Sequence, residues 1–318
     1  MTAPPSDEHA ELKRQGAKAA VRGEGRESNP MCAPINQPDA TGESVQKWAG
    51  RRDAWEQGYC FQQSPTDAPT QPAASEQTQD EALFGVTRVL TYQGAEALSS
   101  ASGFFFEREG RLYLVTSRHV LFDAPSRHAP DRIEIEVHTD ATDLTQLSTL
   151  SILLHQDGQA VWHQARDGGG DIDVAVLEID PAALPAGRVL RAFGPAHLAV
   201  EFDRFEVGDP LAIPGFPLGF FDTVHHLPVV RQASIASSYG VRFQGQGYFL
   251  TDARMHRGSS GSPVLARMDS AHSPGRPRWA LLGVHSSRMD MSTRDATQDE
   301  SLGLNCAWYA DILRTLTT

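Results

Sequence analysis

Arg257-Gly-Ser-Ser-Gly-Ser-Pro-Val264 is the stretch on which the reading of this chain turns. Gly258 lets the backbone fold back without a Cβ clash, so the N–H groups of Gly258 and Ser260 can converge where an oxyanion would form. Gly261 and Pro263 set the exit of the turn into the apolar run Val264-Leu-Ala266. Ser260 is thereby a candidate nucleophile. A serine needs a histidine to take its proton and a carboxylate to hold that histidine in one tautomer. His119 follows the strand-like run Arg111-Leu-Tyr-Leu-Val-Thr116, which closes in small polar residues. Asp173 opens Asp173-Val-Ala-Val-Leu177, where a carboxylate can sit buried against an imidazole. Asp171 shares a strand face with Asp173, so spacing alone does not choose between them.

The chain order His, Asp, Ser separates this arrangement from other folds that host the same chemistry, which run in other orders. A Gly-x-Ser-x-Gly elbow is also missing, because the residue two past Ser260 is Ser262. The motifs resemble those of chymotrypsin-fold, trypsin-like bacterial serine proteases, with similarity to the HtrA-type and glutamyl endopeptidase groups. Thr116-Ser-Arg-His119 is similar to the family's histidine motif, Asp173-Val-Ala-Val-Leu177 to its aspartate motif, and Gly258-Ser-Ser-Gly-Ser-Pro263 to its serine motif. Thr251-Asp-Ala253, Ser102-Gly-Phe104 and Pro214-Gly-Phe-Pro-Leu-Gly219 extend the likeness over roughly residues 83 to 318. Two departures stand out: Ser259 replaces the aspartate that pancreatic-type zymogens pair with a new N-terminus, and Arg118 precedes the histidine.

The resemblance implies an all-β fold of two six-stranded antiparallel β-barrels with a short C-terminal helix, the first barrel over about 83–190 and the second over about 200–310. It implies a serine endopeptidase acting through an acyl-enzyme on Ser260, with His119 as base, Asp173 behind it, and the Gly258 and Ser260 N–H groups as oxyanion hole. Trp279-Ala-Leu-Leu-Gly-Val-His-Ser-Ser287 resembles the wall of the S1 pocket, so His285, Ser286 and Arg288 are the expected substrate contacts, with Glu or Gln at P1. The competing reading is a catalytically silent protease-fold binding or scaffold protein, motivated by Arg118 and by the Met255-His-Arg257 approach to the serine. No segment of PDZ size follows Ser260, so a chaperone-protease with that module is not expected.

Residues 1–82 are rich in Pro, Ser, Gln, Asp and Glu, and Ser64 to Ala73 is linker-like, so a disordered N-terminal tail is expected. Val45 to Phe61, with Trp48 and Trp55 seven apart, has the makings of a short amphipathic helix. Beyond Leu83, short apolar or alternating runs are broken by Gly, Pro, Asp and Asn, the pattern of strands. The loops Gly168-Gly-Gly170 and Met289 to Ser301 read as approaches to the site. With 28 basic and 40 acidic residues the net charge is −12, which argues against nucleic acid and against a polybasic membrane anchor. The three cysteines, Cys32, Cys60 and Cys306, form no disulfide framework. A signal-peptide pattern and an apolar run of spanning length are both missing, so a cytoplasmic setting is expected. The chemistry requires neither metal nor cofactor, and the neighbours His225 and His226 would point to opposite faces of a strand. The expected partner is a polypeptide substrate.

Overall fold

The computed structural model describes residues 7–63, 81–199, 204–268, 277–288 and 303–318. The chain divides into two compact units, one of Met1–Thr78 with Asp140–Gln146 and Thr223–His226, the other of Gln79–Thr139, Leu147–Asp222 and Leu227–Thr318.

In the first unit, helices α1 (Asp7–Val21) and α3 (Val45–Gln63), with the short turn α2 (Pro38–Thr41) between them, enclose a small core. Leu12, Met31, Trp55 and Tyr59 are buried there, with Trp55 stacked on Tyr59 at 5.1 Å between ring centroids. The helix expected over Val45 to Phe61 is present as α3, but its ordered pairing with α1 differs from the disordered tail read from composition. Its cause is close approach: a Cβ on Gly16 would lie 2.0 Å from the Trp55 carbonyl oxygen, and one on Gly58 would lie 1.9 Å from that of Lys13. Two glycines thus let the backbones nearly touch, and one buried Trp and one Tyr supply the apolar area that the polar composition conceals. The linker-like stretch Ser64 to Ala73 lies outside the described residues.

The second unit starts with the turn α4 (Glu81–Phe84). Strands β1 (Val86–Gln93), β2 (Glu96–Arg108) and β3 (Arg111–Thr116) lead to the single turn α5 (Arg118–Leu121). After β4 (Arg132–His138) and β5 (Leu147–Leu153), the Asp157-Gly158 turn joins the two-residue strands β6 (His155–Gln156) and β7 (Gln159–Ala160). Then come β8 (Trp162–Asp167) and β9 (Gly170–Ile179). The sheet order is β5-β4-β1-β2-β3-β9-β8, an open antiparallel sheet of seven strands. It departs from the closed six-stranded barrel expected. The added strand is β8, whose Trp-His-Gln-Ala-Arg-Asp run is half exposed, nowhere fully buried and mostly polar, and so carries no apolar alternation to be read. Gly168 to Gly170, read as a loose approach to the site, is the hairpin turn that pairs β8 with β9, pinned by a Gly169 N–H bond to Asp167 Oδ1 at 2.8 Å.

Strands β10 (Pro210–Gly215), β11 (Val229–Ile235), β12 (Tyr248–Asp252), β13 (Pro263–Arg267), β14 (Trp279–Arg288) and β15 (Leu304–Tyr309) close into a six-stranded barrel, followed by the helical turn α6 (Leu313–Leu316). Sheet and barrel have separate cores, around Leu114, Ile133 and Leu177 and around Ile213, Phe249 and Leu282. A third cluster, including Phe104, Val174, Leu265 and Val284, joins them. That shared core fixes the sheet that carries His119 and Asp173 against the barrel that carries Ser260. Among the described residues, no helix is long and apolar enough to cross a membrane.

Candidate active site

His119 is placed by the abrupt change from β3 to a single helical turn. Strand β3 ends at the fully buried Thr116, the equally buried Ser117 follows, and α5 then carries His119. Asp173 faces it from β9. The His119 backbone N–H donates to Asp173 Oδ1 at 2.8 Å, and His119 Nδ1 lies 2.6 Å from Asp173 Oδ2. One carboxylate therefore holds both the backbone and the ring of the histidine. Ser286 Oγ adds a third donor, 2.5 Å from Asp173 Oδ2. Asp171, which spacing could not exclude, is instead paired with Arg166 at 2.8 Å on the surface.

The electrostatics follow from this arrangement. Burial would raise the Asp173 pKa, but the bonds from the His119 ring, the Ser286 hydroxyl and the His119 N–H hold it below the ordinary carboxylate value. Burial likewise opposes charge on His119, yet the hydrogen bond and negative charge of Asp173 outweigh it and raise the imidazole above its usual value. A ring whose Nδ1 faces a carboxylate presents Nε2 as its basic atom.

Ser260 sits in a turn whose carbonyls are each held. Arg257 O accepts from Leu218 N at 2.6 Å, Gly258 O from Ser102 Oγ at 2.8 Å, Ser259 O from Ser262 N at 3.0 Å, and Ser260 O from Ser102 N at 2.9 Å. A trans peptide points its N–H opposite to its C=O. Anchoring Arg257 O and Ser259 O therefore aims the N–H groups of Gly258 and Ser260 the other way, and neither has an acceptor among the described residues. By contrast, the Ser259 and Gly261 N–H groups are taken by His256 O (3.2 Å) and His285 O (2.8 Å). The turn thus alternates spent and open donors, and the open pair is the one read from the sequence. A cavity of about 510 Å³ lies here, lined by His119, Gly258 and Ser260 among others. Another, of about 440 Å³ beside Trp308 and Ile312, contains none of these residues. Ser260 Oγ itself donates to Ser286 O at 3.0 Å.

The expected substrate contacts come out differently. Ser286 spends its hydroxyl on Asp173 and its carbonyl on Ser260, a supporting role that its adjacency to His285 in the sequence did not disclose. His285 is 2% exposed, with Nδ1 unpartnered, and burial together with the charge of His119 pushes its pKa down to about 4. The Arg288 side chain and the loop Met289 to Ser301 lie outside the described residues. A cavity of about 450 Å³ beside the serine turn is lined instead by Arg254, Met255, His256 and Asn305, among others. The described residues hold no group of three or more His, Cys, Asp and Glu side chains arranged to bind a metal.

The trypsin-like peptidase domain profile matches residues 101–270, a span that includes His119, Asp173 and Ser260. The chain belongs to the trypsin-like peptidase domain family. Among solved structures, this trypsin-like chain is similar to an HtrA-type protease determined with a tripeptide (19% identity, TM-score 0.45, covering 74% of this chain and 59% of that one). It is also similar to a serine endoprotease from Yersinia pestis (18%, TM-score 0.42, 74% and 61%). A third likeness is to a protease from M. tuberculosis in its active form (14%, TM-score 0.40, 73% and 79%). The trypsin-like chain therefore spans about three fifths of the first two. No curated protein matches it.

Proposed function

We propose that the protein is a serine endopeptidase that cleaves polypeptides through an acyl-enzyme on Ser260. The observation that carries this reading is the buried Asp173 carboxylate holding both the N–H and the Nδ1 of His119 while two open N–H groups flank Ser260. Rotation about χ1 moves Ser260 Oγ from the Ser286 carbonyl to His119 Nε2, a step on the side-chain timescale. Oγ then attacks the scissile carbonyl while Nε2 takes its proton, and Asp173 stabilises the imidazolium. The oxyanion receives the N–H groups of Gly258 and Ser260. Nε2 gives its proton to the leaving amine, and water repeats the sequence on the acyl-enzyme to release Ser260.

For the P1 side chain, glutamate or glutamine remains the reading. Arg254 in the neighbouring cavity offers charge to a carboxylate, and Asn305 Oδ1, which has no partner, offers an acceptor to an amide. A peptide library dominated by basic or small aliphatic P1 residues would rule this out. The reaction itself is tested by a fluorophosphonate probe on wild type, Ser260→Ala and His119→Ala. Stoichiometric labelling of the wild type that both variants lose is expected. An unlabelled, well-folded wild type would refute the peptidase reading.

A further inference from the structure

Of the four carbonyl anchors that hold the serine turn, three are backbone N–H groups and one is a side chain, Ser102 Oγ. Ser102 lies in β2, fully buried, and every polar atom of it is engaged. Its hydroxyl donates to Gly258 O (2.8 Å) and accepts from Phe216 N (3.0 Å). Its N–H donates to Ser260 O (2.9 Å), and its carbonyl accepts from Thr116 Oγ1 (2.8 Å). The residue thus ties the sheet to both peptides that follow the open donors, and through Phe216 to the segment whose Leu218 N holds Arg257 O.

We propose that Ser102 is a positioning residue for oxyanion stabilisation: its hydroxyl fixes the Gly258–Ser259 peptide on one side of the Gly258 Cα and, by accepting from Phe216 N, holds the segment whose Leu218 N anchors Arg257 O and so directs the Gly258 N–H. It touches no substrate atom. Gly258 has φ 91°, a conformation that glycine leaves easily, so only outside contacts keep it there. Without the hydroxyl, Gly258 O and Phe216 N lose their buried partner, and the peptide is held only by the longer 3.2 Å bond from Ser259 N to His256 O.

This assignment rests on the peptidase reading for its consequence, and the experiment separates the two. The rate of fluorophosphonate labelling is followed against probe concentration and pH for wild type, Ser102→Ala and Thr87→Val. Thr87 is a matched control: its buried hydroxyl donates to Glu136 O (2.9 Å) and accepts from Glu136 N (3.2 Å). Ser102→Ala is expected to lower the saturating rate about 10- to 100-fold, below the 10²–10³ that loss of a whole oxyanion donor costs. The half-saturating concentration and the pH midpoint should stay unchanged. Thr87→Val should keep its rate within about twofold, since partial unfolding lowers the labelled fraction, not the rate constant. In amide NMR spectra, the Gly258 and Ser259 resonances should move or broaden in Ser102→Ala and stay put in Thr87→Val.

A wild-type rate in Ser102→Ala, or an equal loss in Thr87→Val, overturns the assignment. If the wild type does not label, the peptidase reading fails, and the amide spectra alone decide the clamp. Should Ser102→Ala not fold, Ser102→Cys, which keeps a weaker donor, is expected to give an intermediate rate. A wild-type rate and unmoved amides in that variant would overturn the assignment equally.

Discussion

Acid should weaken this protein through His285, and the size of the effect follows from its burial. The ring is 2% exposed, its Nδ1 has no partner, and burial with the charge of His119 holds its pKa at about 4. In the unfolded chain the same ring titrates near ~6.5. Between those values the unfolded state binds a proton that the folded state refuses, so stability rises with pH across the window and falls as acid enters it. Integration gives a loss of about 1 kcal/mol at pH 5.5 and roughly 2–3 kcal/mol at pH 4.5, relative to pH 7.5. His119 works in the opposite sense. Its folded pKa is raised, so the stability from its charged pairing with Asp173 is fully present below the unfolded pKa and is lost as pH rises through the folded one. Comparison with His285→Gln, which keeps a polar side chain but does not titrate, cancels His119 and the carboxylates. The assay is urea unfolding followed by tryptophan fluorescence between pH 7.5 and 4.5. Whatever the offset at pH 7.5, the gap should shift by roughly 2–3 kcal/mol in favour of the variant by pH 4.5. Parallel curves would refute the reasoning.

Asp173→Asn keeps the shape of the site but removes the charge that fixes the His119 tautomer, and the fluorophosphonate labelling rate should fall by about 10⁴-fold; a loss under tenfold would place the orienting carboxylate elsewhere. The wild-type labelling rate should rise with pH through a midpoint above the ordinary histidine value of about 6.5, because the base must be neutral and Asp173 favours its charged form. A midpoint at or below that value contradicts the pairing. Gly58→Ala places a Cβ 1.9 Å from the Lys13 carbonyl oxygen, which forces α1 and α3 apart. Limited proteolysis should then cut the first sixty residues at protease concentrations that spare the wild type, with the Ser260 labelling rate unchanged; equal resistance would mean the helices repack around the methyl.

What could be read in the sequence was what is written in short contiguous runs. The strand that leads to His119 and the strand that carries Asp173 are short, nearly continuous apolar runs, and the glycine pattern around Ser260 is compact enough to be recognised alone. Strand β8 escaped because its exposed polar face offers no period, and it is a strand only because β9 pairs with it. At the N-terminus the helix over Val45 to Phe61 was legible, whereas α1 and its pairing with α3 escaped for a related reason. Gly16 and Gly58 count against a helix by intrinsic propensity, yet in the folded unit they are what allows contact. The role of Ser286 was hidden too, since nothing in Val284-His-Ser-Ser287 tells which hydroxyl turns inward to Asp173. Choosing between Asp171 and Asp173 needed the partner side chains: one meets Arg166, the other His119.

The serine turn shows why composition can mislead where geometry decides. Read by residue type, Gly258 to Ser262 resembles a solvent-exposed linker. In the fold, Gly258, Ser259, Gly261 and Ser262 are all buried, because three distant segments converge on them. A Cβ on Gly261 would lie 2.1 Å from Ser102 O, one on Gly258 would lie 2.5 Å from Phe216 O, and one on Gly215 would lie 2.2 Å from Ser262 Oγ. The glycines are therefore points of close contact between segments, and Gly258 and Gly261 are also at positive φ. Apart from the local bonds of Ser259 with His256 O and Ser262 N, the anchors of the turn come from distant segments: Ser102 from the sheet, and Leu218 and the His285 carbonyl from the barrel. A turn held in this way has no fixed conformation of its own. It acquires one only when sheet and barrel have closed on their shared core, so the open donors at Gly258 and Ser260 are a property of the assembled unit, coupled to its folding.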